Sequence, residues 1–205
     1  MYKKVFSSAL IVAGVLGSSA AMADNAGSFM VRARAVHINF ENGQNNLVDA
    51  LDIKADNRWI PEIDFSYFFT PNIAAELVLT YPQNVDVNSS VVGRKIGTIK
   101  ALPPSLLLQY HFTNFGAFKP YVGVGVNYTV FTNTSNFIIP GAKVDSSSTG
   151  FAAQVGFDYM IDKNWSVNLD VKYIDMDTDV KLNGAKLGTL DLNPITAGVG
   201  VGYRF

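Results

Sequence analysis

Apolar and polar residues alternate with a period of two in eight stretches of this chain, the pattern of strands whose two faces meet different surroundings. In residues 29–40, Phe29, Val31, Ala33 and Ala35 share one face and Arg32 and Arg34 the other. Residues 60–69 set Ile63, Phe65, Tyr67 and Phe69 against Glu62, Asp64 and Ser66. After the tight turn Thr70-Pro71-Asn72, Ala75, Leu77, Leu79 and Tyr81 oppose Glu76, Val78 and Thr80. A fourth stretch, residues 98–112, opposes Leu106, Leu108, Tyr110 and Phe112 to Ser105, Gln109 and His111. The second half repeats the pattern in residues 119–131, 150–160, 165–173 and 195–205, where Val124, Val155, Leu169 and Val199 lie on apolar faces and Asn127, Asp158, Asp170 and Gly198 on the opposite ones.

The connections between these stretches alternate too. Those after the second, fourth and sixth are short, whereas those after the first, third, fifth and seventh are long and polar. Short turns at one end and long loops at the other are the plan of a bacterial outer-membrane barrel, with its apolar set toward lipid and its polar set toward the lumen. The expected fold class is therefore all-β: an eight-stranded antiparallel transmembrane β-barrel with short periplasmic turns and long external loops. On that topology Phe29, Phe69, Phe112, Tyr159, Trp165, Tyr203 and Phe205 fall at the periplasmic strand ends, facing out. Rings there would form an interfacial girdle.

Composition agrees. Charged residues make up 16%, against roughly 25% in soluble domains. Beyond the N-terminus, however, no apolar run approaches the ~18 residues of a membrane helix. The first residues read as an export signal: Lys3 and Lys4 precede a short apolar stretch, and Ala21-Met22-Ala23 offers small residues for cleavage. Residues 1–23 are thus expected to be a signal peptide and residues 24–205 the barrel domain. Without Lys3 and Lys4 the chain carries 14 basic and 17 acidic residues, a formal charge of −3, so no basic surface for nucleic acid is expected. There is no cysteine, so burial and backbone pairing must hold the fold. A soluble barrel of the lipocalin type would invert the two faces. Residues 195–205 oppose that, since their polar face is mostly bare glycine and would leave a soluble surface little to solvate.

Inward charges expected on this parity are Arg32, Arg34, Glu62, Asp64, Glu76, Asp158, Asp170, Lys172 and Arg204. They could line a polar conduit or neutralise one another. The cost of desolvating unpaired charge in a narrow barrel favours mutual pairing. His37 and His111 lack metal-ligand spacing, and no catalytic constellation, metal site or cofactor motif is present. Inward Gly123, Gly125, Gly156, Gly198, Gly200 and Gly202 either leave room for a passage or make space for large inward groups such as Tyr121. Leu47, Val48 and Leu51 in the first loop and Phe137, Ile138 and Ile139 in the third mildly favour an apolar entrance. Pro103 and Pro104 remove two consecutive donors from the fourth strand, and Pro82 interrupts the end of the third on the same side.

Several segments resemble the OmpW family of small outer-membrane proteins. They are Leu102-Pro103-Pro104-Ser105-Leu106-Leu107-Leu108-Gln109-Tyr110, Lys119-Pro120-Tyr121-Val122-Gly123-Val124-Gly125-Val126-Asn127-Tyr128, the stretch from Gly156 to Trp165, Lys172-Tyr173-Ile174-Asp175, and the ending Gly198-Val199-Gly200-Val201-Gly202-Tyr203-Arg204-Phe205. The resemblance implies a narrow, partly apolar channel that helps small hydrophobic molecules cross the outer membrane, with lateral exit into lipid near Leu102-Pro103-Pro104. The pathway candidates are then Pro82, Pro103, Pro104, Leu47 and Leu51. It also implies the alternative of a plugged structural or receptor barrel, bound by phage or bacteriocin at its external loops or linked to stress responses. The ending with Tyr203 and Phe205 resembles the terminal signature read by the barrel-assembly machinery. The loops at residues 41–59 and 132–148 match the family weakly.

Overall fold

The computed structural model describes residues 26–41, 43–44, 52–91, 93–132, 134 and 137–205. The expected signal peptide and the loop residues Leu47, Val48 and Leu51 lie outside them. The described chain forms β1 (Phe29–Asn39), β2 (Gly43–Gln44), β3 (Ile53–Ala55), β4 (Arg58–Phe68), β5 (Ile73–Thr80), β6 (Gln83–Ser89), β7 (Arg94–Leu102) and β8 (Ser105–His111). There follow β9 (Phe118–Thr132), β10 (Ala142–Val144), β11 (Ser147–Met160), β12 (Trp165–Ile174), β13 (Asp177–Leu182), β14 (Ala185–Asp191) and β15 (Ile195–Arg204).

Eight of these strands close on themselves in the order β11, β12, β15, β1, β4, β5, β8, β9, and β9 pairs with β11 to complete the ring. Every neighbouring pair is antiparallel. Closure leaves no free edge strand, so along the paired stretches backbone groups find partners inside the sheet; hydrocarbon would leave them none. The predicted parity holds throughout the wall. Val124, Leu108, Val155 and Val201 are exposed on the outside, while Arg32, Asp64, Asn127 and Asn168 are fully buried in the lumen.

Short turns join the wall strands at the periplasmic end, and their side chains tie neighbouring strands together. Thr70 Oγ1 accepts from the Ile73 amide at 2.9 Å, and Asp162 Oδ1 accepts from the Asn164 and Trp165 amides at 2.8 and 2.7 Å. The Asn72 and Asn164 side chains each donate, at 2.7 Å, to the carbonyls of His111 and Arg204. Above these turns, outward rings stack into a belt: Phe29–Tyr67, Trp165–Tyr203 and Tyr203–Phe205 have centroids 4.8, 4.9 and 4.8 Å apart.

Three features differ from the sequence-based expectation. The fourth predicted strand, residues 98–112, is two strands, because Pro103 and Pro104 separate β7 from β8. The long external connections are not plain polar loops: β6 and β7 form a hairpin rising from the wall, and β10, β13, β14 and β2 form a second, four-stranded sheet. Finally, the lumen is polar only in part. In its external half Val36, Ile38, Ile60, Val78 and Ile174 point inward and merge with Val85, Ile99, Val144 and Leu192 of the external extensions into one apolar cluster. Both faces of the wall are apolar there, and the alternation that marks inside from outside fades.

Candidate functional site: a plugged lumen beneath an apolar chamber

The middle of the lumen is filled by ion pairs. Arg32 lies on β1 between β4 and β15, and its guanidinium spans the lumen to Asp158 of β11, with Nη2 2.7 Å and Nε 3.0 Å from the carboxylate. Its Nη1 reaches Asp64 at 3.1 Å, Ser66 at 2.9 Å and Glu76 at 3.2 Å. Arg34, two residues along the same face, donates through Nε to Asp64 at 2.8 Å and through Nη2 to Glu76 at 2.9 Å. Its Nη1 stands 3.0 Å from Asp170, an ion pair without hydrogen-bond alignment. Lys172 lies 3.3 Å from Glu62.

Neutral groups complete the plug. Gln154 donates to Glu76 at 2.7 Å, Tyr121 donates to Asp170 at 2.9 Å, and Asn168 donates to Asp158 at 3.0 Å and to the Tyr121 hydroxyl at 3.1 Å. Eight of the nine inward charges read from the sequence thus meet in one network. The ninth, Arg204, makes no ion pair among the described residues. Its guanidinium lies over the Phe68 ring, 4.2 Å from the centroid, near the periplasmic end. From it a stack climbs the lumen: Phe68 to His111 at 4.8 Å, His111 to Tyr121 at 5.0 Å, and Arg32 5.3 Å from the Tyr121 ring. The axis is filled from the periplasmic mouth to the barrel's middle.

The inward glycines serve this filling rather than a passage. A methyl group at Gly156 would stand 2.5 Å from the Tyr121 hydroxyl, at Gly200 2.7 Å from the Arg34 stem, and at Gly202 2.7 Å from Met30. Arg32, Arg34 and Tyr121 fit because each is paired on the neighbouring strand with a glycine, Gly202, Gly200 and Gly156, that has no side chain.

Above the plug lies a chamber with Glu62 and Lys172 at its floor and Val36, Ile38, Ile60, Val78, Phe131, Ile174 and Leu192 among its walls. Its volume is about 40 Å³, room for a few water molecules. One side of this chamber has an interrupted wall. Pairing of β5 with β8 ends at Val78 and Ser105, and pairing resumes only at Gln83 and Ala101, where β6 meets β7. Between them Leu79 to Pro82 and Leu102 to Pro104 face each other, with no backbone hydrogen bond between the two segments. At ~3.3 Å per residue this window is roughly 13–16 Å tall. The loss is one-sided. Toward β9 the ladder passes the prolines in register, from Leu102 opposite Val130 to Ser105 opposite Asn127, and the Pro104 carbonyl accepts from the Tyr128 amide at 3.1 Å and the Asn127 side chain at 3.0 Å. Pro103 lines the chamber and Pro82 is exposed beside the window.

Arg58 and Thr80 line the chamber at the window. Strand parity puts Thr80 on the inner face but gives it no role, and extended two residues before Ile60 it would put Arg58 inside as well. Arg58, however, sits in what reads as a loop. Among the described residues no cluster of three His, Asp or Glu side chains could hold a metal ion.

A closed antiparallel barrel with an apolar outer band, an aromatic belt and a charged interior defines the protein as an outer-membrane β-barrel. The chain belongs to the OmpW family, whose model matches residues 25–205. It is 45% identical over 185 residues to the outer-membrane protein y4mB of Sinorhizobium fredii, covering 86% of this chain and 80% of that protein. It is 35% identical over 214 residues to outer membrane protein W of Escherichia coli, covering 99% and 100% of the two. Among solved structures, that of OprG from Pseudomonas aeruginosa superposes with a TM-score of 0.74 at 29% identity, covering 88% of this chain and 96% of that one.

Proposed function

We propose that the barrel carries small apolar molecules from the outside into the outer membrane, by way of the chamber and then sideways through the window between β5 and β8. The observation that carries this reading is the conjunction of a shut axis and an unpaired stretch of wall beside an apolar chamber. A solute that reached the chamber would meet buried ion pairs below, whose disruption costs several kcal/mol, but only side chains and unbonded backbone beside it. Pro103 keeps the window from zipping shut, because it faces the window without an N–H to give, while Pro104 turns its carbonyl to the Tyr128 amide of β9. At about 40 Å³ the chamber is narrower than a solute, so passage requires the β6–β7 hairpin and the window strands to move apart.

Pro103→Ala with Pro104→Ala supplies two donors and should slow uptake of an apolar solute at an unchanged amount of folded barrel, in cells lacking the wild-type copy. Unchanged uptake would remove the lateral route. The plug also supports a second reading, a receptor barrel working through its external loops, where Val91, Ile138 and Ile139 are exposed. On that reading, deleting the protein leaves apolar uptake unaltered and abolishes phage or bacteriocin attachment instead.

A further inference from the structure

Two polar atoms in the chamber wall have no partner. Arg58 Nε and Thr80 Oγ1 are both buried and neither makes a hydrogen bond among the described residues. Both face the chamber: Arg58, Ile60 and Glu62 share the inner face of β4, and Thr80 is opposite Glu62 in the β4–β5 register, four residues along the wall from Arg58, or roughly 13 Å at ~3.3 Å per residue. Both line the chamber beside Gln83 and Pro103, at the window.

Arg58 is also a cation without a carboxylate of its own. Its Nη1 donates to the Asn84 carbonyl, and no Asp or Glu among the described residues lies within ion-pair distance of it. An acidic group whose field it does reach, Asp86, is held by Lys95 at 2.7 Å and lies below the ordinary carboxylate range because of that bond. Arg32, Arg34 and Lys172 each have a carboxylate within 3.3 Å, and Arg204 lies over the Phe68 ring. A buried unpaired donor on a guanidinium costs free energy, and a ligand that supplies the missing acceptor removes that cost.

We propose that Arg58 is the head-group contact for an anionic amphiphile, an alkyl chain bearing a carboxylate, whose tail runs past Thr80 along the apolar chamber wall. This inference rests on the reading of the chamber as a solute path and adds a preference to it. The carboxylate would accept from Arg58 Nε, while the tail passes the window. The height of the site fits the amphiphile's destination. Arg58 is the first residue of β4 at the external end of the wall, the level at which a lipid's own head group meets water. The tail can therefore swing into hydrocarbon without the carboxylate ever leaving the interface.

The test uses the folded full-length barrel in lipid nanodiscs, with empty nanodiscs as the partition reference. Decanoate labelled with ¹³C at its carboxyl, ionised at neutral pH, is titrated against decanol, which has the same tail and no charge. Wild type should bind decanoate more tightly and shift its carboxyl signal. Arg58→Gln should weaken decanoate roughly tenfold or more, the worth of one charge-assisted hydrogen bond, and leave decanol within about twofold. Arg58→Lys should restore part of the loss. Thr80→Val, away from the cation, should leave the preference for decanoate over decanol unchanged. Heat-modifiable migration on a gel confirms that each variant is folded. If both ligands saturate the protein equally and Arg58→Gln changes neither, the subsite is wrong and the solute path stands. If neither ligand saturates the folded barrel, the path itself is wrong and the subsite falls with it.

Discussion

Replacing Arg34 with methionine tests whether the plug holds the wall together or merely occupies it. Methionine keeps most of the aliphatic stem and deletes the charge, so little new cavity confuses the result. The structure gives what is lost: donors at 2.8 Å to Asp64 and 2.9 Å to Glu76, and the contact at 3.0 Å to Asp170. Asp64 and Glu76 keep Arg32, at 3.1 and 3.2 Å, and Asp170 keeps the Tyr121 hydroxyl at 2.9 Å and Lys172 at 3.9 Å. Removing one partner of a buried ion pair costs about 3–5 kcal/mol, and because Arg32 partly compensates, about 3 kcal/mol is expected. Reversible urea unfolding in lipid vesicles, followed by tryptophan fluorescence, measures it. The second arm adds Asp64→Asn. Removing a carboxylate that has lost one of its two cations should return about 1–2 kcal/mol, a coupling of the size seen between residues in one network. A single-variant cost under about 1 kcal/mol, the range of exposed pairs, with no recovery in the double variant, would refute the argument. It would mean that water, not Arg34, balances these carboxylates.

Val124→Arg, on an outward position 66% exposed to the lipid side, should cost about 2–4 kcal/mol near the bilayer midplane, read by the same unfolding assay. Gly156→Ala should cost about 1–3 kcal/mol by overpacking, since the added methyl meets the Leu169 carbonyl and the Tyr121 hydroxyl at 2.5 Å; the loss should shrink in a Tyr121→Phe background. Deleting Phe205, whose ring continues the aromatic belt 4.8 Å from Tyr203, should lower the amount of assembled barrel in the outer membrane, as measured by the heat-modifiable band. In the periplasmic turn, the amides of Trp165 and Asn164 hold the Asp162 carboxyl below its ordinary range. Its stabilising contribution is therefore complete above the unfolded value of about 3.9 and is lost as pH falls through the lower folded value. Asp162→Asn should remove that acid-side dependence from the hairpin's amide-exchange profile.

Period-two alternation determined the eight wall stretches and the face their residues take in the periplasmic half and middle of the wall, and the alternating lengths of the connections set the end at which the short turns lie, because a strand's side chains must alternate and lipid accepts only one kind of face. It also named the charges that fill the lumen. What it could not determine is who meets whom across that lumen. Arg32 and Asp158 are 126 residues apart and Lys172 and Glu62 are 110 apart, and only closure of the ring puts them in contact. Parity placed Arg204 inward with the others, yet the tertiary structure leaves it on the Phe68 ring, at the periplasmic end and away from the carboxylates. The external half was hardest to read, because Val36, Ile38 and Ile60 face an apolar chamber while Ala35, His37 and Trp59 face lipid or its boundary; two apolar surroundings leave no alternation to follow. The prolines marked a weak place in the wall, but only the register of β7 with β9 and β6, and of β8 with β5, confined the opening to one side. Arg58 acquired its meaning the same way. In sequence it is a loop cation, and it becomes a chamber residue only when β4 carries its inner face two residues beyond Ile60 and the ring sets Thr80 and Pro103 around the same space.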